Sequence, residues 1–345
     1  MTDKIRIVYV GYHIETLLLL NSDNRFDVIG TGLIEEFLSV NSLNPVNALF
    51  KTIYRLRCRN QYRLLEKLLM YLWNLTSGLA SSFYTKYSDY LKALSESRTE
   101  IVDLSSRRDV TDYLRSNRVD LLVVCVWSIL SEEVLTLPKY GTINIHPSKL
   151  PQYRGALPTL WSLKNGDRES AVTYFIMNRA IDAGAIVGQH TFPIREDDDW
   201  YSLEVKINGI LQATLLTSLS GYVSGEIKPV AQDAQIASKT GKYCEYMKIE
   251  WDKETGKDIY NKVNLYPYIV PEDYCYAIYN GRNIAFKKIK YTNSPGALTR
   301  SGRYHVKGLT LTIQAKRGSI VCNLLSGLRF KDSIFFFINR KGDFY

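Results

Sequence analysis

Cysteine is sparse and scattered. The five thiols, Cys58, Cys125, Cys244, Cys275 and Cys322, make no CxxC pair and no zinc-holding spacing. An odd count so widely spread excludes a disulfide framework, and the thiols are read as reduced, in a cytoplasm. No run approaches the roughly 18 uninterrupted apolar residues of a membrane span; the stretch from Leu68 to Leu75 is short and interrupted by Asn74. The opening MTDKIRIVYV passes from a short polar start straight into a strand-like run, without the order of a secretion signal, so none is expected. Asn74-Leu75-Thr76 would fit a glycosylation acceptor, but the secretory context is lacking. Gly11 stands alone after the first strand-like run, without the G-x-G-x-x-G spacing that cradles a dinucleotide, which disfavours nicotinamide chemistry. No internal repeat is visible.

What remains is globular. Of 345 residues, 46% are hydrophobic and 23% charged, which excludes wholesale disorder and fits two domains, or one large domain with an appendage. Lys and Arg outnumber Asp and Glu by 44 to 35, and the resulting +9 suits an anionic substrate, cofactor or nucleic acid without selecting among them.

Strand-like and helical runs alternate: KIRIVYVG, the helix HIETLLLLNS, then FDVIGTG. From about 44 to 94 the strand signals stop and apolar residues recur at helical spacing, a helical insertion of two or three helices. Within it, Lys51, Arg55, Arg57, Arg59, Arg63 and Lys67 face one acid, Glu66; this is a solvated face, an anionic-partner contact or a dimer contact. Alternation resumes with TEIVDL, RRDVTDYLRSNRV, DLLVVCVW, SEEVLTL, GTINIH and ALPTLWSLKNG, followed by AVTYFIM, AIVGQHTFPI and a helix from about Trp200 to Val223. The uninterrupted LLVVCV reads as a central parallel strand covered on both faces, so the fold class is α/β with an open, mostly parallel sheet. The domains are expected at 1–228, a linker at 229–248, and a small β-rich domain at 249–345 that opens with a helix over KIEWDKETGKDIYNKVN.

Chemistry collects at the end of the fifth strand. Asn144 and His146 alternate and so share one side of that strand at the carboxyl edge of the sheet, where open α/β folds bind ligands. Read alone, a histidine at a strand end is a structural residue. Here it opens directly onto Pro147-Ser148-Lys149-Leu150-Pro151-Gln152-Tyr153-Arg154-Gly155, a loop stiffened by two prolines and ending on a glycine. Thirty-six residues after His146 stands Asp182, in the turn Ile181-Asp182-Ala183-Gly184 between two strand-like runs.

NIHPSKLPQYRG followed at this distance by IDAGAI resembles the folate-dependent formyltransferases, which include the methionyl-tRNA, glycinamide ribonucleotide and sugar N-formyltransferases. The resemblance covers roughly residues 4 to 225 and implies a Rossmann-like formyltransferase fold with Asn144, His146 and Asp182 as catalytic trio. It also implies N10-formyltetrahydrofolate as co-substrate and no metal. By the same resemblance, Trp127, Ser128, Ile129 and Leu130 after the central strand, and Ser148, Lys149, Leu150 and Pro151 in the loop, face the folate; Tyr153, Arg154 and Gly155 face the acceptor. Trp127 leans toward the sugar branch, although Val126 stands where that branch often has glycine, and a core aromatic is the alternative. Lys149 departs from the family's usual leucine: it either pairs with an anionic folate tail or is a plain surface lysine. Arg154 is a candidate anion contact, or a structural partner of a loop carboxylate.

The favoured acceptor is an amino sugar, probably nucleoside-diphosphate-linked and destined for surface polysaccharide. The alternative is methionyl-tRNA, because KIEWDKETGKDIYNKVNLYPY resembles the opening helix of that branch's C-terminal region. A catalytically inactive folate-binding module is a further alternative, against which the intact trio stands. The protein is expected to be cytoplasmic and a homodimer, with the 44–94 insertion as the subunit contact.

Overall fold

The computed structural model describes residues 4–11, 13–32, 99–101, 107–125, 129–195, 198–241, 248–265, 275–286, 288–292, 300–328, 336 and 341–344. The expected insertion at 44–94, its basic run, Cys58 and Cys244 lie outside them. Two compact units divide the chain: Met1–Ser162 with Asp167–Glu196 and Ser202–Thr240, and Leu163–Gly166 with Asp197–Tyr201 and Gly241–Tyr345.

The first unit is built on a seven-stranded sheet. Its strands are β1 (Ile5–Gly11), β2 (Phe26–Gly32), β3 (Glu100–Ile101), β4 (Leu121–Cys125), β5 (Thr142–His146), β6 (Glu169–Ile176) and β7 (Ile186–Pro193), in the order β3-β2-β1-β4-β5-β6-β7. The first five are parallel, whereas β6 runs antiparallel to β5 and to β7, so the sheet is mostly parallel as read from the sequence. The helices are α1 (Ile14–Ser22), α2 (Arg107–Asn117), α3 (Glu132–Thr136), α4 (Pro158–Asn165) and α5 (Trp200–Ser224).

Two-sided burial explains the apolar run of β4. Val8, Val10, Leu122 and Val124 pack with Val110, Leu114 and Val134 on one face. The alternate residues Ile7, Tyr9, Leu121 and Val123 are equally inaccessible on the other. Helix α3 starts where the Ser131 hydroxyl accepts the Val134 amide. Helix α5 buries Leu203, Ile207, Leu211, Leu215 and Leu219, a stripe spaced four residues apart.

The segment expected as a linker is bound over its first part. Val230 and Ile186 exchange backbone hydrogen bonds of 2.7 and 2.8 Å, and the Ser238 and Thr240 amides donate to the Pro151 and Arg154 carbonyls. Residues up to Thr240 therefore belong to the first unit.

The second unit is antiparallel. Strands β8 (Cys275–Tyr279) and β9 (Arg282–Phe286) form a hairpin; β10 (Lys290–Thr292), β11 (Arg303–Lys307), β12 (Thr310–Gln314), β13 (Ser319–Asn323) and β14 (Lys341–Asp343) form a sheet in the order β10-β13-β12-β11-β14. Trp251, Phe286, Tyr304, Phe336 and Phe344 fill its core. The opening helix is shorter than its sequence reading over residues 248–264: α6 covers only Gly256–Leu265. Thr255 and Asp258 cap each other, the Asp258 carboxylate accepting the Thr255 amide at 2.8 Å and the Thr255 hydroxyl accepting the Asp258 amide at 3.2 Å, which fixes the helix start. Upstream, Lys248 bridges to Tyr276 and the Glu250 amide is taken by the Glu254 carboxylate, a turn in place of a helix.

Cys125, Cys275 and Cys322 are buried and not joined to one another, and burial pushes the Cys322 thiol up to about 12. Among the described residues no helix is long and apolar enough to cross a membrane.

One close approach positions the turn between β6 and β7. A Cβ on Gly184 would lie 1.6 Å from the Ile176 carbonyl oxygen. Gly184→Ala must therefore displace backbone, and urea unfolding is expected to show a loss of about 1–3 kcal/mol; an unchanged midpoint would contradict this packing.

Candidate active site

Strand β5 delivers two polar side chains into a buried place. Thr142, Asn144 and His146 share a face by alternation, and Thr142 is spent structurally, its hydroxyl donating to the Val134 and Leu135 carbonyls. Asn144 is 3% exposed, and its Oδ1 has no hydrogen-bond partner among the described residues. A buried polar atom without a partner is uncommon and marks a group kept for a ligand or solvent.

His146 is 5% exposed and fixed at both ring nitrogens. Its Nε2 lies 3.0 Å from the Tyr153 carbonyl oxygen. A carbonyl only accepts, so Nε2 carries the hydrogen and Nδ1 of the neutral ring bears the lone pair. Nδ1 faces the Asp182 carboxylate at 3.8 Å, beyond a hydrogen bond but close enough for charge attraction once the ring is protonated. The edge of His146 meets Phe175 at 6.3 Å between centroids. Burial is the largest influence and pushes the imidazole below its ordinary range; the Asp182 charge and the Tyr153 carbonyl pull it back up.

Asp182 is presented by the β6–β7 turn at φ +48°. Its Oδ2, the oxygen that faces His146, accepts the Gly155 amide at 2.7 Å. Gly155 itself sits at φ +115°, a region that L side chains avoid, with Thr240 where a Cβ would be. The His146 loop and the Asp182 turn are thus stitched together directly.

The remaining sequence candidates divide. Ser148 is buried, its hydroxyl donating to the Gln152 carbonyl and its own carbonyl accepting from Thr173 Oγ1. Leu150 and Pro151, joined by a cis peptide bond, are buried as well, with Gln189 Nε2 donating to the Leu150 carbonyl and to Thr173 Oγ1. Lys149 is exposed and ion-paired with Glu169. Tyr153 stands at φ +59°, its amide donating to Ser238 Oγ. Arg154 is held by an amide, Gln232 Oε1, at 3.0 Å from Nε and 2.8 Å from Nη2, where the alternative had been a loop carboxylate. Ile129 is 66% exposed and Leu130 half-buried; Trp127 and Ser128 lie outside the described residues. Gln232, Gln189 and Thr173 were not singled out by sequence reading, and nothing in their local sequence marks them. Among the described residues no group of three or more His, Cys, Asp or Glu could hold a metal.

The formyl transferase family matches residues 90–218, a span that contains Asn144, His146 and Asp182. The chain is 35% identical over 169 residues to the methionyl-tRNA formyltransferase of Azobacteroides pseudotrichonymphae, a match covering 46% of this chain and 51% of that protein. Here it spans about half the length of its relative. With the methionyl-tRNA formyltransferase of Clostridium botulinum it shares 31% identity over 212 residues, 59% of this chain and 67% of the other. A solved sugar 3N-formyl transferase, WlaRD, in the presence of dTDP and 5-N-formyl-THF, superposes with a TM-score of 0.57 at 17% identity, covering 93% of this chain and 98% of that one. That likeness is one of fold alone. Sequence identity extending over two thirds of a relative, around an intact Asn-x-His and its distant aspartate, settles the grouping: the chain belongs to the formyl transferase family.

Proposed function

We propose that this protein transfers a formyl group from N10-formyltetrahydrofolate to the primary amine of a nucleotide-linked amino sugar. The observation that carries the reading is the trio, in which a buried Asn144 whose Oδ1 has no partner among the described residues lies on the same strand face as a neutral His146 whose Nδ1 faces Asp182.

N10-formyltetrahydrofolate supplies the formyl carbon, and the residues present fit the transfer. Attack of an amine on a formyl carbon builds negative charge on oxygen and positive charge on nitrogen, so a site needs a donor for the first and a base for the second. Asn144 Nδ2 donates toward the formyl oxygen, and the unpaired Oδ1 of the same amide accepts an N–H of the incoming amine. His146 Nδ1 bears the lone pair, takes the amine proton and returns it to the folate N10 as the formyl C–N10 bond breaks, so that the new amide and tetrahydrofolate leave with no net proton lost or gained. The imidazolium so formed is stabilised by Asp182, while Nε2–H keeps its bond to the Tyr153 carbonyl. The segments 127–130 and 148–151 are the proposed folate-facing walls, with Tyr153, Arg154 and Gly155 on the acceptor side.

The fold likeness to a sugar 3N-formyl transferase over 93% of this chain supports the sugar acceptor. A second reading, methionyl-tRNA as acceptor, is favoured by the 31–35% identity to methionyl-tRNA formyltransferases.

Asn144→Ala and His146→Ala are each expected to lower kcat by about 100-fold or more with the circular dichroism spectrum retained; full turnover in His146→Ala would end the reading. Protonation of His146 removes the base, so kcat/KM falls on the acid side, at a midpoint below the ordinary histidine value because burial opposes the charged ring. Asp182→Asn deletes the charge that favours the imidazolium and should move that limb still lower while reducing the rate; a limb moved upward would contradict the assignment. Tetrahydrofolate release and product masses, measured with nucleotide-linked amino sugars against methionyl-tRNA, decide the acceptor: turnover with a sugar nucleotide alone is expected, and turnover with methionyl-tRNA alone would replace it by the second reading.

A further inference from the structure

Outside the trio, one side chain gathers the site's backbone together. Gln232 lies beyond α5, in a polar stretch that reads as linker. Its Nε2 donates to the Asp182 carbonyl at 2.9 Å and to the Gly184 carbonyl at 2.8 Å. Its Oε1 accepts Arg154 Nε and Nη2 at 3.0 and 2.8 Å. Two amide hydrogens and two oxygen lone pairs are the entire hydrogen-bonding capacity of a glutamine, and all four are used here.

The partners are the two ends of the His146–Asp182 contact. On one side Gln232 grips the main chain of Asp182 and of Gly184, the residue that allows the turn its approach to Ile176. On the other it grips Arg154, whose neighbours are Tyr153, the carbonyl partner of His146 Nε2, and Gly155, the amide partner of Asp182 Oδ2. The bonds close a ring running from His146 through Tyr153, Arg154, Gln232 and Asp182 back to His146.

We infer that Gln232 is a positioning residue for this site, holding the Asp182 carboxylate opposite His146 Nδ1 and tying that turn to the loop that anchors Nε2. The inference rests on the proposed formyl transfer for its catalytic meaning, but its geometric content does not. At 3.8 Å the contact has no hydrogen bond of its own and becomes a charge attraction only when the ring is protonated, so its strength then depends on how firmly both backbones are held. The groups facing the His146 ring are the Asp182 carboxylate from the β6–β7 turn, the Tyr153 carbonyl from the loop and the Phe175 edge from β6, with the Arg154 guanidinium capped by Gln232. Loss of Gln232 loosens the carboxylate, and a carboxylate held less firmly opposite Nδ1 stabilises the imidazolium less.

The test uses the full chain with 15N-labelled histidine rings, His146 being assigned by the signal lost in His146→Gln. Gln232→Met keeps length and neutrality and removes all four bonds. It is expected to lower the His146 titration midpoint in the direction of Asp182→Asn, with no further fall when the two substitutions are combined. In turnover, kcat should drop about 10- to 100-fold with KM changed much less. Should Gln232→Met fail to fold, Gln232→Asn retains the amide but is one methylene too short to span both partners, and the same shifts are expected. A His146 midpoint unmoved in a folded variant overturns the inference, whatever happens to the rate. An inactive wild-type chain whose midpoint does fall in Gln232→Met supports the positioning role and overturns the formyl-transfer reading instead.

Discussion

The Asp182 carboxylate and the His146 ring face each other at 3.8 Å with side-chain exposures of 13% and 6%, and much of the carboxyl edge of the sheet is arranged around keeping them there. Removing both from water makes the charged imidazole costly, which is why burial dominates and the ring rests neutral. A neutral ring with its hydrogen committed to the Tyr153 carbonyl has one place left to accept a proton, and that place looks at a carboxylate. The pair is weakly joined at rest and strongly joined once a proton arrives. Other hydrogen bonds supply what the weak resting contact cannot: the Gly155 amide donates to the carboxylate, and the Asp182 turn is held through its main-chain carbonyl by Gln232 Nε2.

The sheet makes this burial possible. A parallel core covered on both faces leaves its strands few polar positions, and β5 carries Asn144 and ends on His146. Antiparallel β6 and β7 then bring their connecting turn back beside that end, so an aspartate thirty-six residues downstream returns to the histidine. The loop between is held from the inside by Ser148, Thr173 and Gln189. A group that must present its lone pair in one direction is thereby mounted on elements that move little.

The relatives similar in sequence are methionyl-tRNA formyltransferases, whereas a neighbour similar in fold is a sugar 3N-formyl transferase. On the proposed roles, Asn144, His146 and Asp182 would act on an amine and a formyl carbon, atoms common to every N-formylation, so a trio of this kind carries little about the molecule that bears the amine. The matched family span, 90–218, contains all three residues. Discrimination has to come from other surfaces.

Periodicity and alternation sufficed for the α/β class, the strands β1 to β7, the long α5 and the Asn144–His146 strand, because two-sided burial and helical spacing leave their mark on consecutive residues. The spacing of the two motifs picked out His146 and Asp182, which the fold does bring face to face. Reading failed where the deciding partner is remote. The Lys248–Asn264 stretch looks helical throughout, yet its first part is drawn into pairing with Tyr276 and a local turn. Residues 229–240 look like linker, yet their backbone and the Gln232 amide are bound to Ile186, to the Pro151–Arg154 loop and to the Asp182 turn. Gln232 meets Arg154 across 78 positions and Asp182 across 50. Residue type and local pattern determined which groups could do chemistry here; only the folded chain decided which of them meet, in which tautomer and at what distance, because hydrogen bonds between segments so far apart exist only after the sheet has brought them together.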